Sequence, residues 1–140
     1  MKKNTFLFII VIILSGCVTG EYYSSGIRPK DVAEKPSVFC NVIDKPDPVL
    51  MGGWQCQYRT DRISNPVEFW LVQHGDQYAL YYFFTQYNGR DRNTGWRNWT
   101  INGKEIYSPN KDIRFFVKNE NVYFSWKGET PIKMDQIPNK

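Results

Sequence analysis

The sequence predicts an all-β domain: a small antiparallel meander of about seven strands, closed as a barrel or folded as a sandwich and preceded by a flexible tether. Three observations predict this class. From Met51 onward, short runs rich in Val, Ile, Phe, Tyr and Trp are separated by turn residues. The pair Asn102–Gly103 stands between two such runs, which is the strongest short-range hairpin signal. The chain contains no convincing long helical pattern and no repeat of fixed period.

The predicted strands are, in chain order, Gly53–Thr60, Val67–Gln73, Tyr78–Thr85, Asn98–Ile101, Lys104–Tyr107, Ile113–Lys118 and Val122–Lys127. Three turns join neighbouring strands into hairpins. They lie at His74–Asp76, at Asn102–Gly103 and at Asn119–Asn121.

Alternation along the second and third strands predicts which side chains face the core, because successive residues of a strand point to opposite faces. The expected core positions are Val67, Phe69, Leu71, Tyr78, Leu80, Tyr82 and Phe84. Trp70, Tyr81 and Phe83 fall on the opposite faces. Aromatic side chains are therefore expected on both sides of this hairpin.

The N-terminus has the pattern of an export signal. Lys2 and Lys3 precede the apolar run Phe6 to Leu14, whose nine residues are too few for a transmembrane helix of about 20. Leu14, Ser15, Gly16 and Cys17 then form a lipobox. Residues 1–17 resemble the signal peptides of bacterial lipoproteins.

This resemblance implies cleavage before Cys17 and attachment of a diacylglycerol to its thiol, followed by acylation of the new amine. Two or three acyl chains anchor a protein stably where one does not. Val18 follows the cysteine where an Asp retains enteric-type lipoproteins in the inner membrane. The resemblance thus implies an outer-membrane lipoprotein that faces the periplasm, if the organism is Gram-negative.

Removal of the signal peptide lowers the formal net charge from +4 to +2. The densest basic stretch, Arg90, Arg92 and Arg97, is interrupted by polar and acidic residues and is interpreted as a solvated loop. Nucleic-acid binding requires clustered Lys and Arg, so no nucleic-acid partner is expected.

Three segments are predicted: a signal peptide over 1–16, a lipidated flexible tether over 17–36 and a single all-β domain over 37–140. Residues 37–50 are expected to pack along the domain as an arm. With Cys17 lipidated, Cys40 and Cys56 remain. An even number of cysteines in an exported chain predicts a disulfide, which would close a loop with 15 residues between its ends.

Six aromatic residues are candidates for ligand or partner binding, because Trp and Tyr offer flat faces with a polar tip. They are Trp54, Trp70, Tyr81, Phe83, Trp96 and Trp99. The run Gly52, Gly53, Trp54 resembles the Gly-x-Trp opening of lipocalin-like barrels, which implies a Trp closing one barrel end. The stretch from Met51 is 90 residues long, shorter than a typical lipocalin.

No catalytic or metal-binding pattern is present in the sequence. His74, the only histidine, lies in a predicted turn, and no nucleophile elbow, phosphate loop or metal motif occurs. We therefore expect no enzyme activity and no cofactor. The leading hypothesis is a lipid-anchored accessory that binds an envelope protein or component. The alternatives are a carrier or sensor of a small apolar ligand and an inhibitor of an envelope hydrolase such as lysozyme.

Overall fold

The computed structural model describes residues 32–59, 64–85 and 92–138. Within these ranges the chain is all-β, as predicted. Its strands are β1 (Asn41–Asp44), β2 (Gly52–Arg59), β3 (Ser64–His74), β4 (Gln77–Thr85), β5 (Arg92–Arg97), β6 (Thr100–Asn102), β7 (Glu105–Tyr107), β8 (Ile113–Lys118), β9 (Asn121–Trp126), β10 (Ile132–Lys133) and β11 (Asp135–Ile137). A 3₁₀ helix, Pro48–Leu50, precedes β2 and is capped by the Asp47 side chain.

Two sheets face each other across the core. Sheet A has the strand order β1-β6-β7-β8-β9-β10, and sheet B the order β11-β2-β3-β4-β5. The described chain passes between the sheets three times, from β1 to β2, from β5 to β6 and from β10 to β11. The last strand, β11, pairs with β2, the first strand of sheet B, which gives a barrel-like sandwich.

The predicted hairpins are confirmed, with one shift in register. β3 pairs with β4, β6 with β7, and β8 with β9. In the β6–β7 hairpin the turn residues are Gly103 and Lys104, one residue later than predicted, since Asn102 still pairs with Glu105. Only Gly103 has a positive φ, of 55°, which fits a glycine-first turn rather than the predicted Asn-Gly turn.

Four strands were not predicted. The interpretation of Arg92 and Arg97 as loop residues was wrong, because both lie on β5, an edge strand of sheet B that pairs with β4. An edge strand is held by backbone hydrogen bonds and needs no apolar alternation. The arm contributes β1, which runs parallel to β6. The two remaining strands, β10 and β11, have only two and three residues.

The core consists of the inner faces of the two sheets. All seven predicted core side chains of β3 and β4 are buried. Phe115 lies at the centre, with ring centroids 4.2 Å from Phe69, 5.6 Å from Trp99 and 5.8 Å from Phe124. Burial of one such ring contributes about 1.5 to 3 kcal/mol. Rings from both sheets therefore fill the space between them.

The features predicted at the N-terminus lie mostly outside the described residues. This holds for the signal peptide, for Cys17 and for the tether up to residue 31. No helix of the described residues is long and apolar enough to cross a membrane.

Candidate binding surfaces

The structure separates the six candidate aromatic residues into two groups. Trp99 is buried in the core, with its ring centroid 4.7 Å from that of Tyr82. Trp54 packs against the same core from β2, on the face that also carries Cys56 and Tyr58. Trp99 thus supports the fold, and Trp54 is partly buried against it.

The other four residues share the outer face of sheet B. Register pairs Trp70 with Tyr81, and Tyr81 with Trp96. The rings of Tyr81 and Trp96 meet edge to face at 5.2 Å. We call Trp70, Tyr81, Phe83 and Trp96 the outer aromatic cluster.

The outer aromatic cluster is only partly exposed to solvent. Trp70 and Phe83 are only 6% and 5% exposed, and the neighbouring Glu68 is also buried. The indole N–H of Trp70 is buried and has no hydrogen-bond acceptor. An unpaired buried donor costs about 1 to 3 kcal/mol, and the Trp54 indole N–H and the Tyr82 hydroxyl are also buried without a partner.

The predicted disulfide between Cys40 and Cys56 is contradicted, because both are free thiols. Cys56 on β2 pairs with Val67, which in turn pairs with Phe84 on β4. The Cys40 thiol donates a hydrogen bond to the Arg97 carbonyl at 3.7 Å. Arg97 on β5 pairs with Leu80, four residues along β4 from Phe84. Four residues along a strand and the three strand spacings from β2 to β5 separate the cysteines by more than about 10 Å. A disulfide requires Cα atoms within about 7 Å.

Both thiols are also expected to have low nucleophilic reactivity. Burial raises the pKa of Cys40 from 9.0 to about 12, although backbone hydrogen bonds near Leu80 and Trp99 act the other way. Burial also raises the pKa of Cys56 to about 12, and the Asp135 carboxylate adds to this rise. Since the thiolate is the reactive form, neither residue is suited to nucleophilic chemistry.

His74 stands at the end of β3 beside the Gly75–Asp76 turn, as predicted, and its side chain is exposed. Its ring centroid lies 6.2 Å from that of Phe39 in the arm. No group of three or more His, Cys, Asp or Glu that could hold a metal ion occurs among the described residues.

The first surface that the sequence did not predict is the outer edge of β1. Within the described chain β1 pairs only with β6, and all four of its residues are exposed. Val42 and Ile43 are 40% and 62% exposed, and they are the exposed large apolar side chains among the described residues.

The edge of β1 is nevertheless firmly placed. The amide of Asn41 donates to the Trp99 carbonyl, and the amide of Cys40 donates to the Tyr78 carbonyl, both at 2.9 Å. These bonds fix the arm to β4 of sheet B and to the connection between β5 and β6, where the chain passes from sheet B to sheet A. The exposed edge is therefore preorganised.

The second unpredicted surface is a cleft of about 380 Å³ on the outside of sheet A. Its lining residues are Glu105, Tyr107, Lys111, Arg114 and Gly128. Glu105 and Tyr107 come from β7, Arg114 from β8, and the other two from the loops that follow β7 and β9. This charged cleft combines two cations, one carboxylate and one aromatic ring.

Comparison of the chain with protein-family models, with curated proteins and with solved structures gives no match.

Proposed function

We propose that the chain is a lipoprotein precursor, cut before Cys17, whose all-β domain is a non-catalytic binding module of the bacterial envelope. Its anchor lies in the outer membrane and its domain faces the periplasm. The partner is a protein that adds an extended segment to the outer edge of β1. The lipobox supports the proposed location at the membrane, and the β1 edge supports the proposed mode of binding.

The observation that carries the proposal is the exposed apolar edge of sheet A. Natural proteins usually protect sheet edges with charges or cover them, because unpaired backbone groups recruit other strands. Here Val42 and Ile43 are exposed on an edge strand whose start is fixed by the Cys40 and Asn41 amides, with an irregularity in register at Ile43 before the charged Asp44. An extended peptide gains backbone hydrogen bonds from such an edge, and its alternate side chains supply specificity.

The alternative of an apolar-ligand carrier has weaker support. A carrier needs space between its sheets, but the facing rings of Phe69 and Phe115 lie 4.2 Å apart and Tyr82 contacts Trp99. The role of hydrolase inhibitor stays a prediction that no observation here favours.

Site-specific photocrosslinking in the lipidated protein tests the β1 proposal. A photoreactive amino acid at position 43 should crosslink to one discrete envelope protein, whereas the same probe at Lys118, an exposed position on β8, should not. Ile43→Asp should weaken recovery of that partner at least about tenfold, as expected for a central apolar contact. Lys118→Asp should leave recovery unchanged. Equal crosslinking at both positions would reject β1 as the contact.

The proposed attachment to the membrane through lipid has a separate test. Intact mass of the membrane-extracted protein should show a chain that starts at an acylated Cys17. The Cys17→Ala variant should leave the membrane fraction or stay uncleaved. Complete membrane partitioning of this variant would refute the lipid anchor while leaving the β1 proposal open to its own experiment.

A further inference from the structure

The charged cleft of sheet A contains polar groups that the fold leaves unused. Glu105 Oε1 accepts an ion-paired hydrogen bond from Arg114 Nε. This pairing leaves Glu105 Oε2 and the two terminal nitrogens of Arg114 without a partner among the described residues, and the Tyr107 hydroxyl is in the same position. A carboxylate acceptor, a guanidinium fork and a phenol thus lie together around one concavity.

Arg114 is held in place by more than its ion pair. Its guanidinium lies 5.7 Å from the centroid of the Phe116 ring, and its side chain is 46% exposed. Register places Arg114 directly opposite Tyr107 on β7. An oriented guanidinium recognises a carboxylate through two parallel hydrogen bonds, with less loss of conformational entropy than a mobile lysine.

The second cation is positioned by a structured loop. Lys111 has φ of 60°, a conformation that costs a non-glycine residue roughly 1 to 2 kcal/mol. The loop compensates with hydrogen bonds: Lys111 N donates to the Ser108 carbonyl at 2.8 Å, and Ser108 Oγ contacts Asn110 at 2.8 Å.

As a result the Lys111 ammonium lies 5.3 Å from the centroid of the Tyr107 ring, on the wall of the cleft. Asp112, in the same loop, accepts a hydrogen bond from the Asn110 side-chain amide at 2.9 Å and is not part of the lining. The lining therefore carries a net charge of +1 from Lys111, Arg114 and Glu105.

The geometry points to a binding site for an acidic sugar, a saccharide unit that carries a carboxylate, in the cleft between β7 and β8. Arg114 and Lys111 bind the carboxylate, the free oxygen of Glu105 accepts from sugar hydroxyls, and the Tyr107 ring contacts the sugar face. The cleft volume of about 380 Å³ lies within the range of small-ligand sites. Glu105 disfavours phosphate more strongly than a carboxylate, because phosphate carries about 1.5 to 2 negative charges and a carboxylate only one.

Saturation-transfer NMR on the full lipidated protein in micelles tests this site, with glucuronate as the probe and glucose and inorganic phosphate as comparisons. We expect saturable glucuronate binding at millimolar concentration, weaker binding of glucose, and no competition by equimolar phosphate. Arg114→Gln should raise the Kd for glucuronate at least about tenfold through loss of charge-assisted hydrogen bonds. Arg114→Lys should restore part of the affinity.

The matched control is Lys118→Gln, which removes the same charge from β8 outside the cleft. The unfolding midpoint of Lys118→Gln should match that of the wild type, and Arg114→Gln should lose no more than the roughly 1 kcal/mol of an exposed ion pair. Three outcomes would each overturn the proposal. They are failure of glucuronate to bind, equal effects of Arg114→Gln and Lys118→Gln on its Kd, and displacement of glucuronate by phosphate. None of these outcomes bears on the β1 edge, which lies on another strand.

Discussion

The indole of Trp70 lies directly over Gly53 on the outer face of sheet B. A Cβ built at Gly53 would come within 2.7 Å of two carbons of the six-membered ring. The two residues are register partners on β2 and β3. Glycine at position 53 is therefore required by the close approach of the ring, since its φ is not in the left-handed region.

Gly53→Ala is expected to lower the free energy of unfolding by about 1 to 3 kcal/mol, the usual cost of overpacking. The indole must move, and the buried Trp70 leaves it little room. Urea unfolding measures the loss. In a double-mutant cycle with Trp70→Leu, the cost of Gly53→Ala should become smaller. Additive effects of the two substitutions would show that the ring contact is not the cause.

Adjacent phenylalanines on β8 provide a second prediction, because they point to opposite faces. Phe115 is fully buried between the sheets, whereas Phe116 is half-buried on the outer face of sheet A. Phe115→Ala should cost about 3 to 5 kcal/mol, and Phe116→Ala less than about 1.5 kcal/mol. Similar midpoints in urea for the two variants would contradict the assignment of faces.

The sequence predicted the strands that carry a strong alternating signal and missed those that do not. β3 and β4 each present one face to the core, so residues such as Phe69 and Tyr82 recur at a period of two. β5 contains Gly95 and polar residues, and its edge position requires only backbone pairing to β4. Local patterns carry no information about such a partner.

The binding surfaces were harder to predict, because their residues come from separate elements. Trp54 and Trp99 look like binding residues in a list of aromatics, yet Trp99 is buried in the core and Trp54 is partly buried against it. The charged cleft brings Lys111 and Arg114 together with Glu105 and Gly128, which come from other elements. Neither arrangement is visible in composition or spacing.

The two buried thiols yield a third prediction. Cys40 and Cys56 should react slowly with iodoacetamide at pH 8, since raising a thiol pKa from 9.0 to about 12 lowers its thiolate fraction about a thousandfold. Peptide mapping after timed alkylation measures each residue separately. Ser64→Cys, at an exposed position, is the rapidly labelled control. Recovery of a Cys40–Cys56 crosslinked peptide without reduction would refute the free-thiol structure.

Tyr58 provides a pH-dependent prediction. Its pKa is raised from 10.0 to about 12, first because it is buried and further because its hydroxyl donates to Glu129 Oε2 at 2.6 Å. The unfolded chain ionises this phenol near pH 10, before the folded protein does. The contribution of Tyr58 to stability is thus fully present below pH 10 and is lost as the pH rises through about 12.

Tyr58→Phe isolates this contribution, because it keeps the ring 5.1 Å from Trp126 but removes the hydroxyl. At neutral pH the variant should be less stable by about 1 to 2 kcal/mol, the usual value of a hydrogen bond to a carboxylate. Above pH 10 the difference should shrink, since only the wild type loses stability through this group. Burial also raises the pKa of Tyr82, but this residue is present in both proteins and cancels in the comparison. Urea unfolding from neutral pH to about pH 12 measures the two curves. A constant difference across that range would mean that the phenol is not held protonated by the fold.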